Sequence, residues 1–113
     1  MGIDTGGLRG LEADLGKASA RAVPFASKVV RKTTHDIEAD GKTFCPVDTG
    51  NLRNSISSDI GVLSSEIGPT ASYGYFVEAG TSRMAPQPYM GPAADRREPE
   101  FVKAMEQITL GLL

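Results

Sequence analysis

Tryptophan is absent from this chain, cysteine and histidine occur once each, and aromatic residues make up only 6% of its 113 positions. The lone Cys45 excludes an internal disulfide framework and any Cys-x-x-Cys metal pair, so a reducing interior is the expected compartment of assembly. His35 stands between Thr34 and Asp36, and neither His-x-His nor Asp-x-Asp-x-Asp-Gly spacing occurs, so no metal is expected. Long apolar runs are missing too: nothing approaches the roughly twenty residues that cross a bilayer. Met1 to Gly6 lack the apolar stretch of a secretory leader, and Gly6 stands where a myristoylation signal needs Ser or Thr. A soluble chain without membrane contact is therefore expected. There is no basic excess either, since 12 Lys and Arg face 14 Asp and Glu for a formal charge of −2. That balance argues against a general nucleic-acid binder and leaves a surface past which DNA can slide without sticking. With so few large side chains, and a length that buries only about two-thirds of the unfolded surface, the core is light. Such a chain is expected to finish burying apolar surface against copies of itself.

What is present begins with turn chemistry. Leu8, Leu11 and Leu15 recur at helical spacing after Gly6-Gly7, and Phe25, Val29, Thr33 and Ile37 continue a one-sided pattern until Gly41. Pro24 lies between the two sets, so the spacing predicts two helices or one kinked helix. The opposite faces carry Glu12, Lys17, Arg21, Lys28, Arg31, Lys32, Asp36 and Glu38, a mixed-charge strip that reads as solvated surface or as a contact between subunits. Pro46 disfavours helix at Cys45, Asp48 or Thr49 is placed to cap the next segment, and Leu52 and Ile56, four apart, give it one or two helical turns. Ser57 to Ile60 and Leu63 to Ile67 read as a hairpin around Gly61. Tyr73 to Glu78 fits a strand or a short helix stopped by Gly80, and Pro86 and Pro88 make Arg83 to Tyr89 an extended loop. Pro92 suits the first position of a last helix, with Phe101, Met105, Ile108 and Leu112 on one face and a kink or restart at Pro99. The result is an α+β fold in one domain: a helical region at 1–41, a turn and small-sheet region at 42–91, and a C-terminal helix at 92–113.

Few residues offer chemistry. Asp48-Thr49-Gly50 is the tripeptide of dimeric aspartic proteases, in which two carboxylates share a proton and activate water. There it follows an apolar strand and precedes a small residue; here Phe44-Cys45-Pro46-Val47 precedes it and Asn51-Leu52-Arg53 follows, so Asp48 reads as a cap. A Cys45 nucleophile would need the chain's one histidine, and His35 has no evident orienting partner, so His35 reads as a surface residue and Cys45 as a small buried hydrophobe; Gly6-Gly7 with Gly10 form no phosphate-binding loop. Arg96-Arg97 could touch DNA, but Asp95, Glu98 and Glu100 beside them make a self-compensated helix face. No cofactor is implied. Glu78 sits in an aromatic segment, where a buried carboxylate would need a partner such as Arg53 or Arg83 of a neighbouring subunit, unless it lies at an exposed edge. A dimeric protease and a small DNA-binding regulator remain as alternative functions.

One ordered set of residues goes further: Pro46-Val47-Asp48-Thr49-Gly50-Asn51-Leu52-Arg53-Asn54-Ser55-Ile56, then Tyr75-Phe76-Val77-Glu78-Ala79-Gly80-Thr81, then Pro86-Gln87-Pro88-Tyr89-Met90-Gly91-Pro92-Ala93. In this order, on a chain this short, they resemble the tail-completion family of long-tailed, lambda-like bacteriophages, minor tail components of the neck where head and tail join. The resemblance spans Thr43 to Ala93, with Ala79 where a larger aromatic often stands and Gly74 where Ala is usual. It implies a structural virion protein, not an enzyme, that completes the tail for head joining. It implies a ring of roughly 6 or 12 copies built by a heterologous contact, around a channel through which DNA passes without sequence-specific binding. The implied neighbours are the connector or stopper, the tail terminator and the tail tube, with assembly in the host cytoplasm. The interface and structural candidates are Asp48, Thr49, Gly50, Leu52, Arg53, Glu78, Gly80, Thr81, Arg83, Pro86, Pro88 and Tyr89. The loop carrying Tyr89 is expected to dock on a partner.

Overall fold

The computed structural model describes residues 2–3, 9–13, 20–46, 50–71 and 73–111. Its elements run β1 (Gly2–Ile3), β2 (Arg9–Glu12), α1 (Ala22–Phe44), α2 (Gly50–Ser55), β3 (Ile56–Ile60), β4 (Ser64–Pro69), α3 (Gly74–Ala79) and α4 (Met90–Thr109). The fold is α+β, with one antiparallel sheet in the order β1-β2-β4-β3.

Around Leu11 the structure corrects the helical expectation. Arg9 to Glu12 pair with Ser64 to Ile67 as a strand, and Leu11 is fully buried opposite Ser65. Leu8 and Leu15 lie outside the described residues. A stretch of four residues satisfies either period, and sheet pairing over the core settles it as a strand.

Pro24 breaks nothing. It is the third residue of α1, inside the first turn, where a missing N–H costs no intrahelical bond. The helix then runs through Gly41 to Phe44, three residues beyond the expected stop. It ends because Pro46 forces Cys45 out of helical geometry, to φ −61° and ψ 134°, while the Cys45 N–H still donates to the Gly41 carbonyl at 3.0 Å. The buried face is Ala22, Ala26, Val30, Thr33, Thr34, Ile37, Asp40 and Gly41. It is rotated from the expected one, so that Phe25 is 43% exposed. Small residues at positions 22, 26 and 41 let neighbouring elements approach closely: a Cβ on Gly41 would stand 2.6 Å from Met90 Sδ of α4.

The hairpin β3–β4 turns at Gly61, whose N–H donates to the Ser64 carbonyl at 2.7 Å, and its strands alternate as a half-buried sheet requires. Ser65 and Ile67 face α1, with the Ser65 hydroxyl 2.6 Å from Thr34 Oγ1, which donates in turn to the Val30 carbonyl. Two buried hydroxyls are thus satisfied where α1 crosses the sheet. In α4, Pro99 interrupts neither the helix nor the core, because it lies on the exposed side. Helix α4 starts at Met90, so Pro92 is its third residue rather than its first. Phe101, Met105 and Ile108 are buried as expected, in one cluster with Leu11, Val30, Ile37, Leu52, Ile56, Ile67 and Tyr89; Leu112 lies outside the described residues.

Between α1 and α4 lies a half-buried ion pair that the sequence did not disclose. Arg97 Nε and Nη2 donate to Asp40 Oδ2 and Oδ1 at 2.6 and 3.3 Å, with Asp36 and Glu100 also within 4 Å of the guanidinium. Arg97 therefore looks across to α1 as well as along its own helix. Its hydrogen bonds hold the Asp40 carboxyl below the ordinary value of 3.8 against the opposing effect of burial. A carboxyl depressed on folding contributes stability above its unfolded pKa and loses it as pH falls through the lower folded value. Acid titration of thermal stability should accordingly show an Asp40-dependent loss beginning near pH 4 and completing below it, and that component should be missing in Asp40→Asn.

Candidate functional site

Seven of the twelve interface candidates, Glu78, Gly80, Thr81, Arg83, Pro86, Pro88 and Tyr89, lie on α3, on the loop after it or at the N-cap of α4. Helix α3 is short because Gly80 ends it: φ is +77°, a left-handed conformation that only glycine adopts cheaply, and its N–H donates to the Phe76 carbonyl at 2.8 Å. A Cβ there would also stand 2.8 Å from Pro86 N and 2.9 Å from the Met84 carbonyl oxygen. Thr81 and Met84 exchange backbone hydrogen bonds of 2.9 and 3.3 Å, and Thr81 Oγ1 accepts from the Arg83 N–H at 3.2 Å, which folds the loop back after one tight turn. Arg83, Pro86 and Pro88 are exposed.

Glu78 is the hinge of this region. Its Oε1 accepts from the N–H groups of Tyr89 and Met90 at 3.2 and 2.8 Å, and its Oε2 from Gly91 at 3.0 Å. These are the N-cap and the first two residues of α4, and the third, Pro92, has no N–H. A carboxylate eleven to thirteen residues away in sequence thus satisfies every donor that the first turn leaves free, and its charge opposes the positive end of the helix dipole. Glu78 was expected to need an arginine of a neighbouring subunit or an exposed edge. It turns inward instead and joins two elements of its own chain.

Tyr89 also corrects the docking expectation. It is completely buried, and its hydroxyl donates to the Gly74 carbonyl at 3.0 Å. With the Gln87 N–H donating to the Val77 carbonyl at 2.9 Å, the loop is tied to α3 at both ends of that helix. The close fit explains the glycine at 74, where a Cβ would lie 2.5 Å from Pro69 Cγ and 2.8 Å from the Tyr89 hydroxyl. Gly74→Ala should cost about 1–3 kcal/mol by overpacking, readable by denaturant unfolding.

What α3 does offer to solvent is aromatic. Tyr73, Tyr75 and Phe76 are 42, 53 and 52% exposed, and the rings of Tyr75 and Phe76 meet edge to face at 5.7 Å. Tyr75 and Phe76 thus form a paired exposed aromatic surface on α3, with Tyr73 exposed at its N-cap, of a kind that suits a contact. The period-three placement of buried Gly74 and Val77 carries that signal in the sequence.

Of the other candidates, Asp48 and Thr49 lie outside the described residues, so their capping role stays an expectation. Gly50 opens α2 directly, Leu52 is fully buried, and the Arg53 Nη2 donates to the Cys45 carbonyl at 3.4 Å while its Nε finds no acceptor among the described residues. Cys45 is buried and His35 is exposed, with Nδ1 3.8 Å from Glu38. No group of His, Cys, Asp and Glu among the described residues could hold a metal ion, and no described helix is long and apolar enough to cross a membrane.

The HK97-gp10-like family, described as "Bacteriophage HK97-gp10, putative tail-component", matches residues 9–80. This chain belongs to that family. The match takes in β2, β3 and β4 of the sheet, α1, α2 and the whole of α3 up to Gly80. The chain is thus a bacteriophage tail component, a part of the virion that contacts other virion proteins. No curated protein and no solved structure matches it significantly.

Proposed function

We propose that this tail component is a structural protein of the phage neck: one copy in a closed ring at the head–tail junction, around the channel that DNA traverses without sequence-specific contacts. Its incorporation completes the tail for head joining, next to the connector or stopper, the tail terminator and the tail tube. The observation that carries this reading is the exposed aromatic surface of Tyr73, Tyr75 and Phe76, inside the family-matched region and held on a helix locked from behind by Glu78 and Tyr89. A rigid apolar patch binds at lower entropic cost than a flexible one, which favours assembly over chemistry. In this reading the chain is a single structural domain and not an enzyme, assembled in the host cytoplasm, where a buried Cys45 stays reduced.

Reconstruction of the neck from intact virions tests the proposal. A closed ring of several copies at the head–tail junction is expected; one or two copies, or a location elsewhere in the tail, would overturn it.

A further inference from the structure

The sheet buries one face against α1 and leaves the other bare. By register, Asp59 of β3 stands directly opposite Glu66 of β4, and Gly10 of β2 opposite Glu66 on its other side, with Glu12 two residues along β2 on the same face. All three carboxylates are exposed, and Ser57 and Ser64 complete the face; neither β3 nor β4 contains a Lys or Arg. Like charges directly across two strands destabilise the pairing. None of the three carboxylates makes an ion pair among the described residues, so their negative charge is uncompensated there.

The outward side of α1 has the opposite character. Arg21, Lys28 and Arg31 are exposed there without an ion pair among the described residues, next to Lys32, which is held by Asp36 at 2.8 Å, and to the exposed ring of Phe25. Helix α1 meets the sheet through Thr34 and meets α4 through Asp40 and Gly41, with Val30 and Ile37 buried on the same side, so its exposed cationic side points away from both. One chain therefore carries an acidic sheet face and a basic helix face on opposite sides.

We infer that the acidic outer face of the sheet, Glu12, Asp59 and Glu66, receives the basic face of α1, Arg21, Lys28 and Arg31, of the next copy. Two different surfaces on opposite sides of one molecule make a head-to-tail contact, which repeats around a ring until the rotation closes. Complementary charge sets the register of that contact, and the ring of Phe25 supplies apolar area to bury beside it. This inference rests on the proposed ring and specifies the surfaces that build it.

The test is complementation of a phage deleted for this gene, with infective particles counted and the neck copy number determined. Asp59→Lys with Glu66→Lys, and separately Lys28→Glu with Arg31→Glu, should each lower the yield by about tenfold or more, and the four changes together should restore most of it. The milder pair Asp59→Asn and Glu66→Gln should raise the melting temperature of the purified protein by removing the cross-strand repulsion, while lowering particle yield. A purely structural role would move both readouts the same way, and that result would overturn the inference. So would unaffected yields, an effect confined to one of the two faces, or a quadruple variant that fails to regain yield. If the wild-type neck holds only one or two copies, the ring itself fails and the contact with it; a multicopy ring indifferent to these charges would discard the contact alone.

Discussion

Replacing Tyr89 by alanine is expected to unfold the region around α3 rather than simply weaken docking. The ring is fully buried and its hydroxyl donates to the Gly74 carbonyl, so truncation leaves a cavity and removes that hydrogen bond together. Removing a buried aromatic costs about 3–5 kcal/mol, which for a chain of this length lowers the melting temperature by on the order of 10–20 °C. Tyr89→Phe keeps the ring and loses only the hydrogen bond, at about 1 kcal/mol. Thermal unfolding of the two variants side by side checks this. If Tyr89→Ala melted within a few degrees of wild type, the packing around α3 described above would be wrong.

Glu78→Ala is expected to have the next largest effect, because one side chain serves three donors. Without it the N–H groups of Tyr89, Met90 and Gly91 lose their acceptor, and the helix dipole loses its counter-charge. The expected loss is about 2–4 kcal/mol, combining a helix cap with charge-assisted hydrogen bonds. Glu78→Gln should fall between, since the amide oxygen still accepts from Tyr89 and Met90 while its NH₂ group faces the Gly91 N–H. Denaturant unfolding gives the order, and amide exchange gives the location: protection at Met90 and Gly91 should fall before that of the sheet. Equal stability of the Ala and Gln variants would show that Glu78 does not act through these hydrogen bonds.

The elements written in strong local chemistry were legible. Gly61 turns the hairpin, Gly80 stops α3, and Phe101, Met105 and Ile108 mark the inner face of α4, whereas α1 passes Gly41, its expected end, and stops only before Pro46. The order of the three motifs was enough to place the chain near phage tail proteins, and the family match confirms that much. Less legible was anything decided by partners distant in sequence. Four residues around Leu11 look helical beside Leu8 and Leu15, and become a strand because β4 offers hydrogen bonds and an apolar face. Asp40 and Arg97 are fifty-seven residues apart, and neither has a local pattern that announces the other.

The interface candidates divide along the same line. The sequence alone determined that this chain is α+β, light in core, without a metal-binding motif, and organised around rigid turns, because proline and glycine act within one or two residues of themselves. Only the tertiary structure decided which of those residues look inward and which outward. Glu78 and Tyr89, both expected at a joint with another subunit, hold α3 to α4, while Tyr73, Tyr75 and Phe76 are left in solvent. The physical reason is that burial and hydrogen-bond satisfaction belong to the folded ensemble of neighbours: a carboxylate among aromatics needs donors, and the bare first turn of α4 supplied them from a segment that no local reading places beside it.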